Sequence, residues 1–233
     1  MPSASQLILV VDLISALMAA SLFLSTLKPC KDSSVPYLLG IPTGFGLLTF
    51  AFAANTLEFF GGGIMLDAIF LLVQTYGVLF IALTYARRTR LKLVGESFSI
   101  ELAIPSLVTV LVLGYVLVFE NLSSMSAAPL SMNLSLRVVM VLASLYLVYE
   151  TARTWTLSQR ASAGFVTIGY ALLVVEQIGF LLQTAQFGDV ALTLAYEGRL
   201  FGLFALLAIT HLAIKQGDRE TILRRLGLIS LAH

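Results

Sequence analysis

The chain has 233 residues, of which 58% are hydrophobic and only 12% charged, with a mean hydropathy of +0.95 and a formal net charge of +1. A soluble domain carries about 25% charged and about 45–50% apolar residues, so this chain lacks the polar surface to cover a globule in water. That excludes a cytosolic enzyme, a nucleic-acid binder and a disordered chain. The single cysteine, Cys30, excludes an intrachain disulfide framework and a multi-cysteine zinc site.

What remains is an all-α, polytopic membrane protein. A bilayer core takes roughly 20 apolar residues per helix. Seven such runs occur, at about 6–27, 37–60, 65–85, 100–119, 134–152, 163–183 and 195–214. They predict a seven-helix transmembrane domain over 1–217 with an amphipathic tail over 218–233. The first run has no basic leader and no small-residue cleavage site, and reads as a retained helix. Lys28, Pro29 and Lys31 end it, because proline cannot continue a helix. Gly61, Gly62 and Gly63 predict a tight turn, Arg87, Arg88, Arg90 and Lys92 a charged stop, and the polar stretch from Asn121 to Asn133 a loop.

Charge orients the expected bundle. With the N-terminus outside, the inner connections and tail hold Lys28, Lys31, Arg87, Arg88, Arg90, Lys92, Arg153, Arg160, Lys215, Arg219, Arg224 and Arg225, twelve of the 14 basic residues. Only Arg137 and Arg199 fall outward, against seven acids: Asp12, Glu58, Asp67, Glu120, Glu176, Asp189 and Glu197. The expected topology is therefore an odd number of spans in the cell membrane, with the N-terminus outside and the C-terminus cytoplasmic. Sequons at Asn121 and Asn133 fall on the outer side, where glycosylation fits. In the tail, Ile222, Leu223, Leu226 and Ile229 form an apolar stripe beside Arg219, Arg224 and Arg225. Such a helix is expected on the inner membrane surface, against anionic lipids.

The first three and last three runs share punctuation. Val10, Val11 and Ser15 match Val138, Val139 and Ser144; Gly46 followed by the stretch from Asn55 to Phe60 matches Gly169 followed by the stretch from Glu176 to Leu181; Gly77 matches Gly202. The offset drifts between about 121 and 128. The fourth run has Pro105 and no charge within it, and reads as a linker between two like-oriented triplets. This order resembles the one shared by microbial opsins and SWEET-type sugar transporters, in topology and not in motifs. For an opsin the resemblance implies a retinal-binding lysine in the last helix. Here Lys28, Lys31, Lys92 and Lys215 all lie in connections or at helix ends. The Pro-Gln signature of the sugar transporters is also absent, so neither family supplies a functional residue.

An ionisable side chain in mid-span costs about 2.5–3.5 kcal/mol on the insertion scale and asks for a reason. Positions i, i+3, i+4 and i+7 share a helix face. On that spacing Asp12 sits with Ser15, Ala16, Ala19 and Phe23, and Asp67 with Leu71, Gln74, Val78 and Tyr85. Glu176 sits with Gly169, Gly179 and Gln183, and Arg199 with Gly202, Leu206 and Thr210. The four faces predict a cluster of Asp12, Asp67, Gln74, Glu176, Gln183 and Arg199 in the outer half. In a functional reading it opens outward and takes a small solute, an ion or a proton. Glu176 then binds a cation or exchanges a proton, and Arg199 anchors an anionic group. In a structural reading Arg199 pairs with Asp12 or Glu197, and Glu176 bonds a neighbouring helix. Glu150 and Arg153 read as an intrahelical pair, and Tyr146, Tyr149 and Trp155 as interfacial anchors.

Catalytic signals are sparse. His211 and His233 are the only histidines, too few for a bis-histidine haem or a membrane zinc hydrolase. There is no Gly-x-Ser-x-Gly elbow and no phosphate loop. No cofactor is expected, and an enzyme is disfavoured. Three function classes remain: a small-solute transporter or receptor, an accessory subunit of a membrane complex, and a membrane enzyme acting on lipid or isoprenoid. Expected partners are the bilayer and its anionic lipids, with a homo-oligomer or a membrane-complex partner compatible and nucleic acid excluded. Between Gly77 and Ile81 the third run is apolar, which suits a receptor or gate better than an open path.

Overall fold

The computed structural model describes residues 4–32, 36–58, 64–90 and 130–215. They form six α-helices: α1 Ala4–Lys31, α2 Gly40–Glu58, α3 Ile64–Arg90, α4 Leu130–Ser158, α5 Ala161–Thr184 and α6 Asp189–Lys215. A 3-10 turn, Pro36–Leu39, leads into α2.

The expected seven-helix count is corrected here. Among the described residues there are six helices, and four of them are long and apolar enough to cross a membrane, within Gln6–Lys31, Asn133–Ser158, Ala161–Thr184 and Asp189–Leu212. α2 falls short because Gly40, Pro42, Thr43, Gly44, Gly46 and Asn55 dilute its apolar content. In α3 the described residues Phe70–Ala86 form a shorter apolar helix. The run at 100–119, Asn121, the triple-glycine turn and the tail over 218–233 lie outside the described residues. The architecture fits a polytopic all-α membrane protein.

Several helices outrun their apolar stretches. α1 continues through Pro29 to Lys31. A proline this close to a C-terminus removes one N–H bond and leaves little helix to disturb. α4 begins at Leu130, so Asn133 lies in its first turn and not in a loop. The α4–α5 connection is two residues, with Gln159 at φ 52. Gln186 at φ 68 and Gly188 at φ 80 turn the chain from α5 into α6, whose first turn carries Asp189, a favourable charge at a helix N-terminus.

The helices close into a ring in which α1 to α6 each pack on their neighbours and α6 returns to α1. α3 and α4 run in the same direction, because Leu71 packs with Leu136 and Met140, near the start of both. α1 and α6 do likewise, joined at Asp12 and Arg199. The ring has an internal repeat sharper than the sequence showed. α3 and α6 are both 27 residues long and 125 residues apart, 64 to 189 and 90 to 215. α2 and α3 touch at Gly44 and Gly77, and α5 and α6 touch at Gly169 and Gly202, each again 125 residues on. A Cβ on Gly77 would stand 2.9 Å from Gly44 O, and one on Gly202 would stand 2.9 Å from Gly169 O. Small residues at both crossings are what lets the backbones meet. The partner of Gly169 is thus Gly44, not Gly46.

Polarity is inverted relative to a soluble protein. Leu17, Leu24, Leu142, Phe201 and Phe204 are exposed, whereas Asp12, Gln74, Glu176 and Arg199 are buried. Apolar side chains outside and ionisable ones inside suit a lipid solvent. Buried hydroxyls bond their own helices: Thr26 Oγ1 donates to Leu22 O at 2.7 Å, and Thr75, Thr151 and Thr210 donate to the carbonyls four residues back at 2.8 Å. Without water nearby, that is the nearest acceptor.

Candidate functional site

Arg199 lies ten residues into α6, about 15 Å along the helix at 1.5 Å per residue. It is brought to its partners by its neighbour. A Cβ on Gly198 would sit 2.7 Å from Leu172 O and 2.8 Å from Glu176 N, so glycine is what allows α6 to lie directly on α5. At that separation Arg199 Nε donates to Glu176 Oε1 at 2.7 Å, and Nη1 donates to Asp12 Oδ1 at 2.6 Å. One guanidinium thus ties α5 and α1 to α6.

Two amides complete the network. Asn55 Nδ2, on α2, donates to Asp12 Oδ2 at 2.6 Å. Gln74 Nε2, on α3, donates to Glu176 Oε1 at 3.2 Å. Five helices therefore meet in one hydrogen-bonded set. Aromatic rings close it: Arg199 Cζ stands 4.5 Å from the Phe52 ring centroid, 5.0 Å from Phe180 and 5.2 Å from Tyr196. Phe180 also carries Arg137 at 4.4 Å, so a single ring faces two guanidiniums. Cation–π contacts of this kind gain strength where water is excluded.

Of the six residues predicted to cluster, the structure brings together Asp12, Gln74, Glu176 and Arg199. Gln183 is corrected: it is exposed near the end of α5, two turns beyond Glu176. Helical spacing gave it the right azimuth, but at that height the helix has left the packed interior. Asp67 lies on α3, and its side chain is outside the described residues. The expected outward-opening cavity is also corrected, since Asp12, Gln74, Glu176 and Arg199 are each no more than 2% exposed. Glu197 is exposed and Arg199 pairs with Glu176 instead. Glu150 accepts a hydrogen bond from Tyr146 Oη at 2.9 Å.

Sequence reasoning missed Asn55, Arg137, Ser144, Tyr170 and Gln177. All five are at least partly buried polar residues on the inner faces. The signal available was a polar side chain inside an apolar run, which marks each of them. Beside the cluster, on its α4 side, is a cavity of about 20 Å³ lined by Ser144, Tyr170, Glu176 and Gln177 and by apolar side chains such as Leu48 and Leu203.

No protein-family model, curated protein or solved structure matches the chain.

Proposed function

We propose that this integral membrane protein handles a small ion or a proton at the Asp12–Arg199–Glu176 cluster. The observation that carries the reading is the geometry of that centre: two carboxylates on different helices share one buried guanidinium. Neutralising either carboxylate, or trading Arg199 for another cation, changes the contact between α6 and α1 or α5. A centre of this kind reports its own occupancy to the helices around it. The adjoining cavity, about 20 Å³, is far too small for a sugar or an amino acid and excludes the larger solutes from this site.

Orientation follows the positive-inside rule. α1 ends in Lys28 and Lys31, α3 in Arg87, Arg88 and Arg90, and α6 in Lys215, all at the same end of the ring. In this reading that end faces the cytoplasm of a cell membrane, and the cluster lies toward the other end.

Thermal unfolding of the purified protein in detergent tests the reading. The parent is titrated with pH and with Na⁺, K⁺ and Cl⁻, beside Glu176→Gln and Arg199→Gln. The expected result is a melting temperature that moves with pH or one ion in the parent and not in Glu176→Gln. A parent insensitive to all four, or a variant that responds as the parent does, removes the assignment and leaves a purely structural clamp.

A further inference from the structure

Around Glu176 some oxygen acceptors have no donor. Gln177 Oε1 and Gln74 Oε1 are each buried with no hydrogen-bond partner among the described residues. Gln177 follows Glu176 on α5, and the Gln74 amide reaches Glu176 by its other end, Nε2. Glu176 accepts from Arg199 Nε and from Gln74 Nε2 on one oxygen, Oε1, so Oε2 is the oxygen left for an occupant. A buried acceptor without a donor is costly, and an occupant that donates to it relieves the cost.

The place for such an occupant is the cavity of about 20 Å³ whose polar lining is Ser144, Tyr170, Glu176 and Gln177. One water-sized body needs about 10–15 Å³, so the cavity takes one and not a chain of them. All four residues are buried, with Gln177 only 2% exposed. Charge narrows the choice of occupant. Asp12, Glu176 and Arg199, the three groups joined by ion pairs, carry formal charges that sum to −1. Arg137 rests on the Phe180 ring and does not line the cavity. Water supplies a donor to Gln177 but no charge. A bare metal cation asks for a full shell of oxygens in place of its hydration, and most of this wall is apolar. Ammonium is the size of water, carries +1 and is all donor. Its four N–H bonds match four polar groups. The rings of Phe52 and Tyr170 in the same wall are surfaces that attract a cation.

We propose that this cavity is a binding site for one ammonium ion, held by Glu176 Oε2, Gln177 Oε1 and the hydroxyls of Ser144 and Tyr170. The inference rests on the reading of the cluster as an ion-responsive centre and names its ion. Glu176 then serves two cations at once, Arg199 through Oε1 and ammonium through Oε2. Ser144 brings α4 into a set that otherwise joins α1, α2, α3, α5 and α6.

The test is thermal unfolding of the full chain in detergent, near neutral pH and at constant ionic strength, with ammonium chloride exchanged for choline chloride. Sodium, potassium and tetramethylammonium chlorides are run in parallel. The variants are Gln177→Leu, Ser144→Ala and an exposed control, Tyr149→Phe. The melting temperature of the parent and of Tyr149→Phe is expected to rise saturably with ammonium and not with tetramethylammonium, which has no N–H and is too large. The half-saturating ammonium concentration is expected to rise about tenfold or more in Gln177→Leu, which loses a hydrogen bond to a charged ligand. Ser144→Ala is expected to shift it in the same direction, and it decides alone if Gln177→Leu does not fold. A parent that responds to potassium as it does to ammonium, a parent that does not respond to ammonium, or variants that respond as the parent does overturn the ammonium site. If ammonium fails these criteria while the melting temperature still follows pH or another ion through Glu176, the cluster reading stands and only the ammonium site falls.

Discussion

Arg199 holds two carboxylates that would otherwise face each other across the α1–α5 gap. Removing one partner of a buried ion pair costs about 3–5 kcal/mol, because the remaining charge is stranded in a low dielectric. Arg199→Gln strands two, so it is expected to destabilise the fold by at least that amount, read as the shift in an SDS-unfolding midpoint. Adding Asp12→Asn and Glu176→Gln to Arg199→Gln is expected to recover much of the loss, since the triple variant has no stranded charge. Additive losses would show that the three side chains do not act as one unit. At this scale the sequence was informative about direction and poor about depth. The i, i+3, i+4, i+7 rule turned Asp12, Gln74, Glu176 and Arg199 inward correctly, because azimuth follows from spacing. It also turned Gln183 inward, and there it failed, because spacing carries no information about where packing ends. Asn55 was visible only as punctuation near the end of its run.

Helix against helix, contact is set by glycine. Gly179 faces α6 so closely that a Cβ would lie 2.7 Å from both Ala191 O and Ala195 N, which are backbone atoms that cannot swing aside. Among the described residues, the nearest atoms to a Cβ on Gly46 belong to the ring of Phe23, at 3.3 Å. Gly179→Ala is therefore expected to cost about 1–3 kcal/mol, the usual range for overpacking a tight contact. Gly46→Ala is expected to be nearly neutral, because a side chain gives way. Parallel unfolding of the two variants checks this, and equal costs would mean that the α5–α6 crossing is looser than described. The helices themselves were legible as long apolar runs. Their ends were not, since α1 passes Pro29 and α4 starts before its apolar stretch, and backbone hydrogen bonding, not hydropathy, decides where a helix stops.

For the molecule as a whole, the two ends of α5 give the sharpest check on orientation. Gln159 and Gln186 are both exposed, and they sit at opposite ends of that helix. The native thiol, Cys30, is 1% exposed and should not react with a polar maleimide. In intact cells Gln186→Cys is expected to label with a membrane-impermeant maleimide, and Gln159→Cys only after the membrane is opened. The reverse pattern would invert the orientation, and labelling of both sites from outside would remove the membrane-spanning assignment of α5. That the chain suits a lipid solvent was legible from composition, and which polar residues turn inward was legible from helical spacing. The ring closure was not, because it depends on which helix faces return to one another.

The 125-residue step between the halves has a chemical corollary. It superposes Asp12 on Arg137, Asn55 on Phe180 and Gln74 on Arg199. Where the first triplet supplies an acid and amides, the second supplies cations and a ring to receive them. Two copies of the first triplet would offer carboxylates with no counter-charge at these positions. Two copies of the second would crowd four guanidiniums around two Glu176 side chains. Neither triplet can balance itself as a twin; only the unlike pair is self-neutralising, so complementarity between the halves is written into equivalent sites that differ in sign.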